Sequence, residues 1–342
     1  MQDDYLALMT RLAPDLTGEL GRRALILERI GALAPVGRRA LASLLSLSER
    51  EVRSAAMALK EQGLVSLDAA GMELTDAARE LLPGAQALSR AMYGLTALEQ
   101  ALCRHLKLAS ATVVPGDSDK DPLVLREVGR AGAHRLRRIL QSGMTLAVTG
   151  GKTMLEVAHG MAPTVLNVMV VPARGGMGND LEIQASAVAS EIAGKLGGHY
   201  RVMHMPDSLD AAALQEVIKL PEVREAIELL QRADVVLHGV GRADVMSRQR
   251  SLPPDVAEKI LRDGAVGETF GDFVDSAGRT VYRMPTVSDG LGTLQKNKVM
   301  LAVAAGTRKA QAIVAALCHE AHDSLVTDEG AARAMLPLLE KG

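Results

Sequence analysis

Two rhythms of apolar positions divide the chain. In the first, Leu20, Ala24, Leu27 and Ile30 recur at helical spacing, and Gly31 with Pro35 predicts the end of that helix. Arg38 to Leu45 reads as a short second helix. Ser48 and Glu51 have the spacing of a capping box, in which each side chain accepts the other residue's backbone N–H. The helix they open runs to Gln62, where Gly63 supplies a left-handed stop. Its inner face is Val52, Ala55, Ala56 and Leu59, which turns Arg50, Arg53, Ser54 and Met57 outward. Leu64 to Leu67, a turn over Asp68 to Gly71, and Met72 to Leu74 predict a hairpin, and Thr75 caps a fourth helix. Gln86 to Lys107 is helical again. Its apolar stripe (Leu88, Met92, Leu95, Leu98, Leu102, Leu106) suits a domain connector, a dimer seam or ordinary packing.

Beyond about residue 110 the second rhythm begins: short apolar strands, glycine loops, new helices. Thr145 to Val148 leads into Thr149-Gly150-Gly151-Lys152-Thr153, and Val168 to Val171 into Pro172-Ala173-Arg174-Gly175-Gly176. Val235 to His238 leads into Gly239-Val240-Gly241-Arg242, and Val299 to Ala305 into Gly306-Thr307-Arg308-Lys309. Leu325-Val326-Thr327 runs into Asp328-Glu329-Gly330. Alternating strands and helices predict an α/β unit with an open, mostly parallel sheet, whose ligands bind outside the carboxyl ends of the strands. These loops lie there.

A length of 342 residues fits two domains. We place them at 1–88 and 89–342. The order of elements in the first is that of a winged helix-turn-helix, whose third helix enters the major groove. The formal net charge is only -2, so nucleic acid must be held by a local patch rather than an overall field. Such a patch exists: between Leu16 and Ser66 eight Arg and Lys residues face five Glu. Arg38, Arg39, Ser48, Arg50, Arg53 and Ser54 are the candidate DNA contacts. The alternative is a helical protein-interaction module with solvated arginines. Aromatic residues at 2% and the lack of Trp argue against a base-stacking platform. Cys103 and Cys318 show no ligand spacing, and no apolar run reaches about 20 residues. We therefore expect a cytoplasmic protein without metal, cofactor or membrane partner.

Glycine loops at helix N-termini, joined by Lys152, Arg174 and Lys309, suit a phosphorylated small molecule. Gly151-Lys152-Thr153 resembles the end of a P-loop, but Leu146 stands where the earlier glycine belongs. Asp244 likewise replaces the third glycine of a dinucleotide fingerprint begun at Gly239. The histidines of His319-Glu320-Ala321-His322 are one residue too close for a metalloprotease, and His199 and His204 read as structural. Glu268, in an apolar stretch, could be a general base, a hydroxyl acceptor or a surface residue.

The loops, in this order, resemble the SorC group of sugar-responsive bacterial repressors. The residues that carry the likeness are Ala147 to Met154, Val171 to Gly178, Leu237 to Gly241, Ala304 to Ala310 and Leu325 to Ala332, with Val114 to Asp119 opening the second domain. The resemblance implies a second domain like the ribose-phosphate isomerase and glucosamine-phosphate deaminase fold, used as a sensor. It implies fructose 1,6-bisphosphate as effector, a glycolytic operator as the DNA partner, and a homodimer or homotetramer. By the matching segments, Thr149, Gly150, Gly151, Lys152, Thr153 and Lys309 would hold one phosphate. Arg174, Gly175, Gln184 and Arg250 would hold the other, and Glu268 would accept sugar hydroxyls. Lys152 departs from the group, which has a threonine there. The competing function is a sugar-phosphate isomerase or deaminase with an accessory N-terminal module. An enzyme would need an acid/base pair, and Glu268 has no evident partner in the sequence.

Overall fold

The computed structural model describes residues 8–9, 11–45, 47–176, 180–206, 209–250, 252–287, 298–319 and 322–340. Met177 and Gly178 of the second motif, and Glu320 and Ala321 between the paired histidines, fall outside them. The chain forms two compact units, Met1–Ala97 and Leu98–Gly342.

In the first unit, α1 (Pro14–Leu33), α2 (Arg38–Leu45) and α3 (Glu49–Glu61) precede a hairpin of β1 (Val65–Leu67) and β2 (Met72–Leu74) and then α4 (Asp76–Met92). The capping box is formed: Glu51 N–H donates to Ser48 Oγ at 3.2 Å, and Ser48 N–H donates to Glu51 Oε2 at 2.8 Å. Val52, Ala55, Ala56 and Leu59 are buried among Ile26, Ile30, Leu41 and Met72, so the inner face anchors α3 to its unit. The strands pair antiparallel, with Ser66 opposite Glu73. Two features differ from the sequence reading. α1 continues through Gly31 to Leu33, because Gly31 serves close packing rather than termination: a Cβ there would sit 2.9 Å from Leu74 Cδ1. The leucine stripe from Gln86 is two helices, α4 ending at Met92 and α5 (Leu95–Leu106) beginning after Gly94, which takes φ +67°.

The second unit is built on β3 (Ser110–Val114), β4 (Thr145–Val148), β5 (Met169–Pro172), β6 (His199–Tyr200), β7 (Val235–His238), β12 (Val299–Val303) and β13 (Ser324–Asp328). Their order is β3-β13-β12-β7-β4-β5-β6, and every pair is parallel. The central strands β4, β5, β7 and β12 are covered on both faces, which is why they read as unbroken apolar runs, whereas β6 at the edge is exposed. Leu146, Val148, Val170, Leu237 and Leu301 meet Val128 and Leu136 of helix α6 (Pro122–Ile139) and Val157 of α7 (Lys152–Gly160) in the main core. The sequence did not announce a second sheet of β8 (Gly241–Arg242), β9 (Ala265–Thr269), β10 (Asp272–Asp275) and β11 (Thr280–Arg283). It is antiparallel and places Glu268 on β9. Among the described residues no helix is long and apolar enough to cross a membrane.

Candidate effector pocket and DNA-facing helix

The loops that leave β4, β5, β7 and β12 converge with β8 and β9 on a cavity of about 290 Å³. Every candidate ligand residue lines it: Thr149 to Thr153, Arg174, Gly175, Gln184, Arg250, Glu268 and Lys309.

The loop after β4 is pinned from both sides. Thr149 N–H donates to Leu237 O at 3.1 Å, and Thr149 Oγ1 accepts from Gly239 N–H at 3.2 Å. Gly150 passes so close to the chain opposite that a Cβ would lie 2.4 Å from Ile183 O. Gly151, at φ +112°, is the N-cap of α7 and offers no side-chain cap. The amino end of α7, with its partial positive charge, thus meets the cavity without a competing side-chain acceptor. Lys152 is exposed at this rim, whereas Lys309, on the 3-10 turn Thr307–Lys309, is half-buried. Burial pulls the Lys309 pKa down, and the carboxylates of Asp119 and Asp328 oppose that pull.

At β9, Glu268 Oε1 accepts from Arg174 Nη1 at 2.9 Å, from Arg250 Nη2 at 2.7 Å and from Gly271 N–H at 2.7 Å. All three side chains are buried. Burial, the largest influence on Glu268, pushes its pKa up, but Arg250, Arg174 and the Gly271 N–H together hold it below the usual carboxylate value. Glu268 thus gathers two guanidinium groups into one buried wall of the cavity. Oε1 of Glu268 is taken up by the two arginines and the Gly271 backbone. Gln184 Nε2 donates to Asp180 O at 3.0 Å.

Sequence reading missed Arg242, Gln249 and Phe270, which also line the cavity. Arg242 holds Asp244 through two bonds, Nε at 3.0 Å and Nη2 at 2.7 Å. Its place just after the Gly239-x-Gly241 loop was the available signal. Behind the wall, His238 is fully buried, its ring 4.9 Å from those of Phe270 and His322. Burial, then the neighbouring His322, lowers its pKa to about 3. No cluster of three or more metal-binding side chains occurs among the described residues.

In the first unit Arg50, Arg53 and Ser54 are exposed on α3, together with Met57. Arg38 and Arg39 are exposed at the start of α2, and Arg39 Nε lies 3.3 Å from Glu49 Oε1. Ser48 is exposed, but its oxygen serves the capping box.

Fold and pocket together define a two-part regulator, and the sequence comparisons agree. Residues 20–89 match the family described as "CggR N-terminal DNA binding domain", and residues 90–337 match "Putative sugar-binding domain". The chain belongs to the SorC family of sugar-binding transcriptional regulators. It is 38% identical to the central glycolytic genes regulator of Priestia megaterium, over 97% of this chain and 98% of the relative. Identity to the Bacillus subtilis protein of the same name is 37%, over 95% and 96%. The crystal structure of a SorC family regulator from Enterococcus faecalis superposes with a TM-score of 0.66 at 33% identity, covering 70% of this chain and 99% of the other. The full-length sorbitol operon regulator of Klebsiella pneumoniae shares the fold, with a TM-score of 0.65 at 18% identity over 88% of this chain and 94% of that one.

Proposed function

We propose that this protein represses glycolytic genes: α3 reads the operator, and a sugar carrying two phosphates, fructose 1,6-bisphosphate, occupies the pocket of the second unit. The observation that carries this reading is the doubled anion site. One cavity has the amino end of α7 with Lys152 and Lys309 in its wall, and also the Arg174–Arg250 pair held by Glu268. A ligand with two phosphates can engage both cationic sets at once, whereas a ligand with one phosphate engages only one of them. The two relatives named for control of central glycolytic genes supply the target.

The enzyme reading lacks support. Glu268 is the one carboxylate in the described pocket wall, and a carboxyl held below its usual pKa and bonded to two arginines is poorly placed to carry protons. Operation as a homodimer or homotetramer belongs to the same proposal. The test is thermal unfolding with sugar mono- and bisphosphates, since a ligand that binds only the folded state raises stability by mass action. Fructose 1,6-bisphosphate should raise the midpoint more than fructose 6-phosphate at equal concentration. Equal shifts, or none, would defeat the bisphosphate assignment.

A further inference from the structure

Lys309 reaches the pocket from the short 306–309 turn. What holds the turn is a set of three carboxylates, none of which lines the cavity. Asp328 accepts from Gly306 N–H at 3.0 Å and from Ser118 N–H at 2.7 Å, joining the turn to the loop that follows β3. Asp117 in that loop accepts from Thr307 Oγ1 at 2.9 Å and from Thr307 N–H at 3.3 Å. Asp119 accepts from Arg308 N–H at 2.7 Å and from Arg308 Nε at 3.0 Å. It therefore fixes both the backbone and the side chain of the residue that precedes Lys309.

Two glycines make room for this arrangement. Gly306 takes φ +103°, and a Cβ on it would lie 3.0 Å from the Asp119 carboxyl carbon. On Gly330 a Cβ would lie 2.5 Å from the carboxyl carbon of Asp117. Carboxylate and glycine fit one another on each side, so the loop and the turn are built as a pair. The charges matter as well as the bonds: Asp119 and Asp328 are the groups that favour the charged form of Lys309 against burial.

We propose that Asp119 is a positioning residue for the effector, holding the 306–309 turn so that the Lys309 ammonium stays aimed into the pocket. The inference rests on the reading that Lys309 takes a phosphate, and assigns the polar loop after β3 a part in ligand affinity although Asp117, Ser118 and Asp119 do not line the cavity.

The test is a double-mutant cycle on the full chain, with fructose 1,6-bisphosphate as the calorimetric probe. Asp119→Asn keeps the size and an acceptor oxygen but removes the charge, and should weaken binding about tenfold, the scale of one charged interaction. The ligand-free unfolding midpoint should change little, because Arg308 is exposed and surface pairs add little stability. In a Lys309→Met background the same substitution should alter affinity less than about twofold, since coupled residues do not act additively. A role confined to loop stability would lower the midpoint and leave affinity unchanged, overturning the proposal. Equal losses in both backgrounds would place the action of Asp119 elsewhere and overturn it too. If Lys309→Met alone left binding intact, the phosphate assignment of Lys309 would itself fail. If Lys309→Met weakened binding while Asp119→Asn did not, only the positioning role would fall.

Discussion

Arg174 and Arg250 converge on a single oxygen, Oε1 of Glu268, at 2.9 and 2.7 Å. The two guanidinium groups would repel one another in a buried wall, and the carboxylate between them makes their proximity tolerable. The same contact aims both side chains at one face of the pocket and lowers the carboxyl pKa that an acid catalyst would need raised.

Glu268→Gln keeps the shape and removes the charge. Removing the charge that draws two buried guanidinium groups together should destabilise the second unit by about 3 kcal/mol, in the range for breaking a buried ion pair by losing one partner. Urea unfolding of wild type and variant measures it. Unchanged stability would mean that the buried arginines do not depend on the Glu268 charge. Affinity for a bisphosphate need not fall in step, since the ligand's second phosphate can replace the missing charge.

His238 makes stability depend on acid. Its folded pKa of about 3 lies below the ordinary value of 6.5, so the unfolded chain takes up a proton that the folded chain refuses. The contribution is complete above pH 6.5 and drains away as pH falls from there toward 3. Between pH 7.5 and 5.5 about 1.4 kcal/mol should be lost through this residue. Denaturant midpoints for wild type and His238→Gln should diverge at pH 7.5 and approach one another at pH 5.5. Parallel pH profiles would show that His238 is not the group responsible.

Arg53 stands outward on α3, three residues from Arg50 and four from Met57. If it neutralises a phosphate, Arg53→Ala should weaken all DNA sequences alike and reduce the salt slope of binding by about one. Loss of sequence preference with the slope unchanged would identify a base reader instead. Wild-type affinity in an Arg50→Ala/Arg53→Ala protein would remove α3 from the interface.

The strand–loop–helix units of β4, β5, β7 and β12 were legible because each strand is an apolar run leading into a glycine loop, and α3 because Ser48 and Glu51 mark its start. The β8–β11 sheet was hidden. β9 and β10 are buried almost throughout, so they show no alternation, and β8 is two residues long. The Glu268 contacts were out of reach for another reason: their partners stand 94 and 18 residues away in sequence, and spacing carries no signal across a fold. Gly31 misled because a glycine required for close approach looks the same, in one sequence, as a glycine that ends a helix. The leucine stripe continued in phase across Gly94, so periodicity alone could not show the break that its positive φ makes.

The central claim is that occupancy of the pocket and operator affinity are thermodynamically linked. The most direct measurement titrates operator DNA at fixed salt with and without saturating fructose 1,6-bisphosphate, and then titrates the effector with and without DNA. A coupling of about 1–3 kcal/mol predicts a change in DNA affinity of roughly 5- to 150-fold, and reciprocity requires the same factor in the effector titration. Lys309→Met should bind DNA as wild type does and lose the response. Identical DNA affinity, cooperativity and complex size across the whole ligand range would contradict the account.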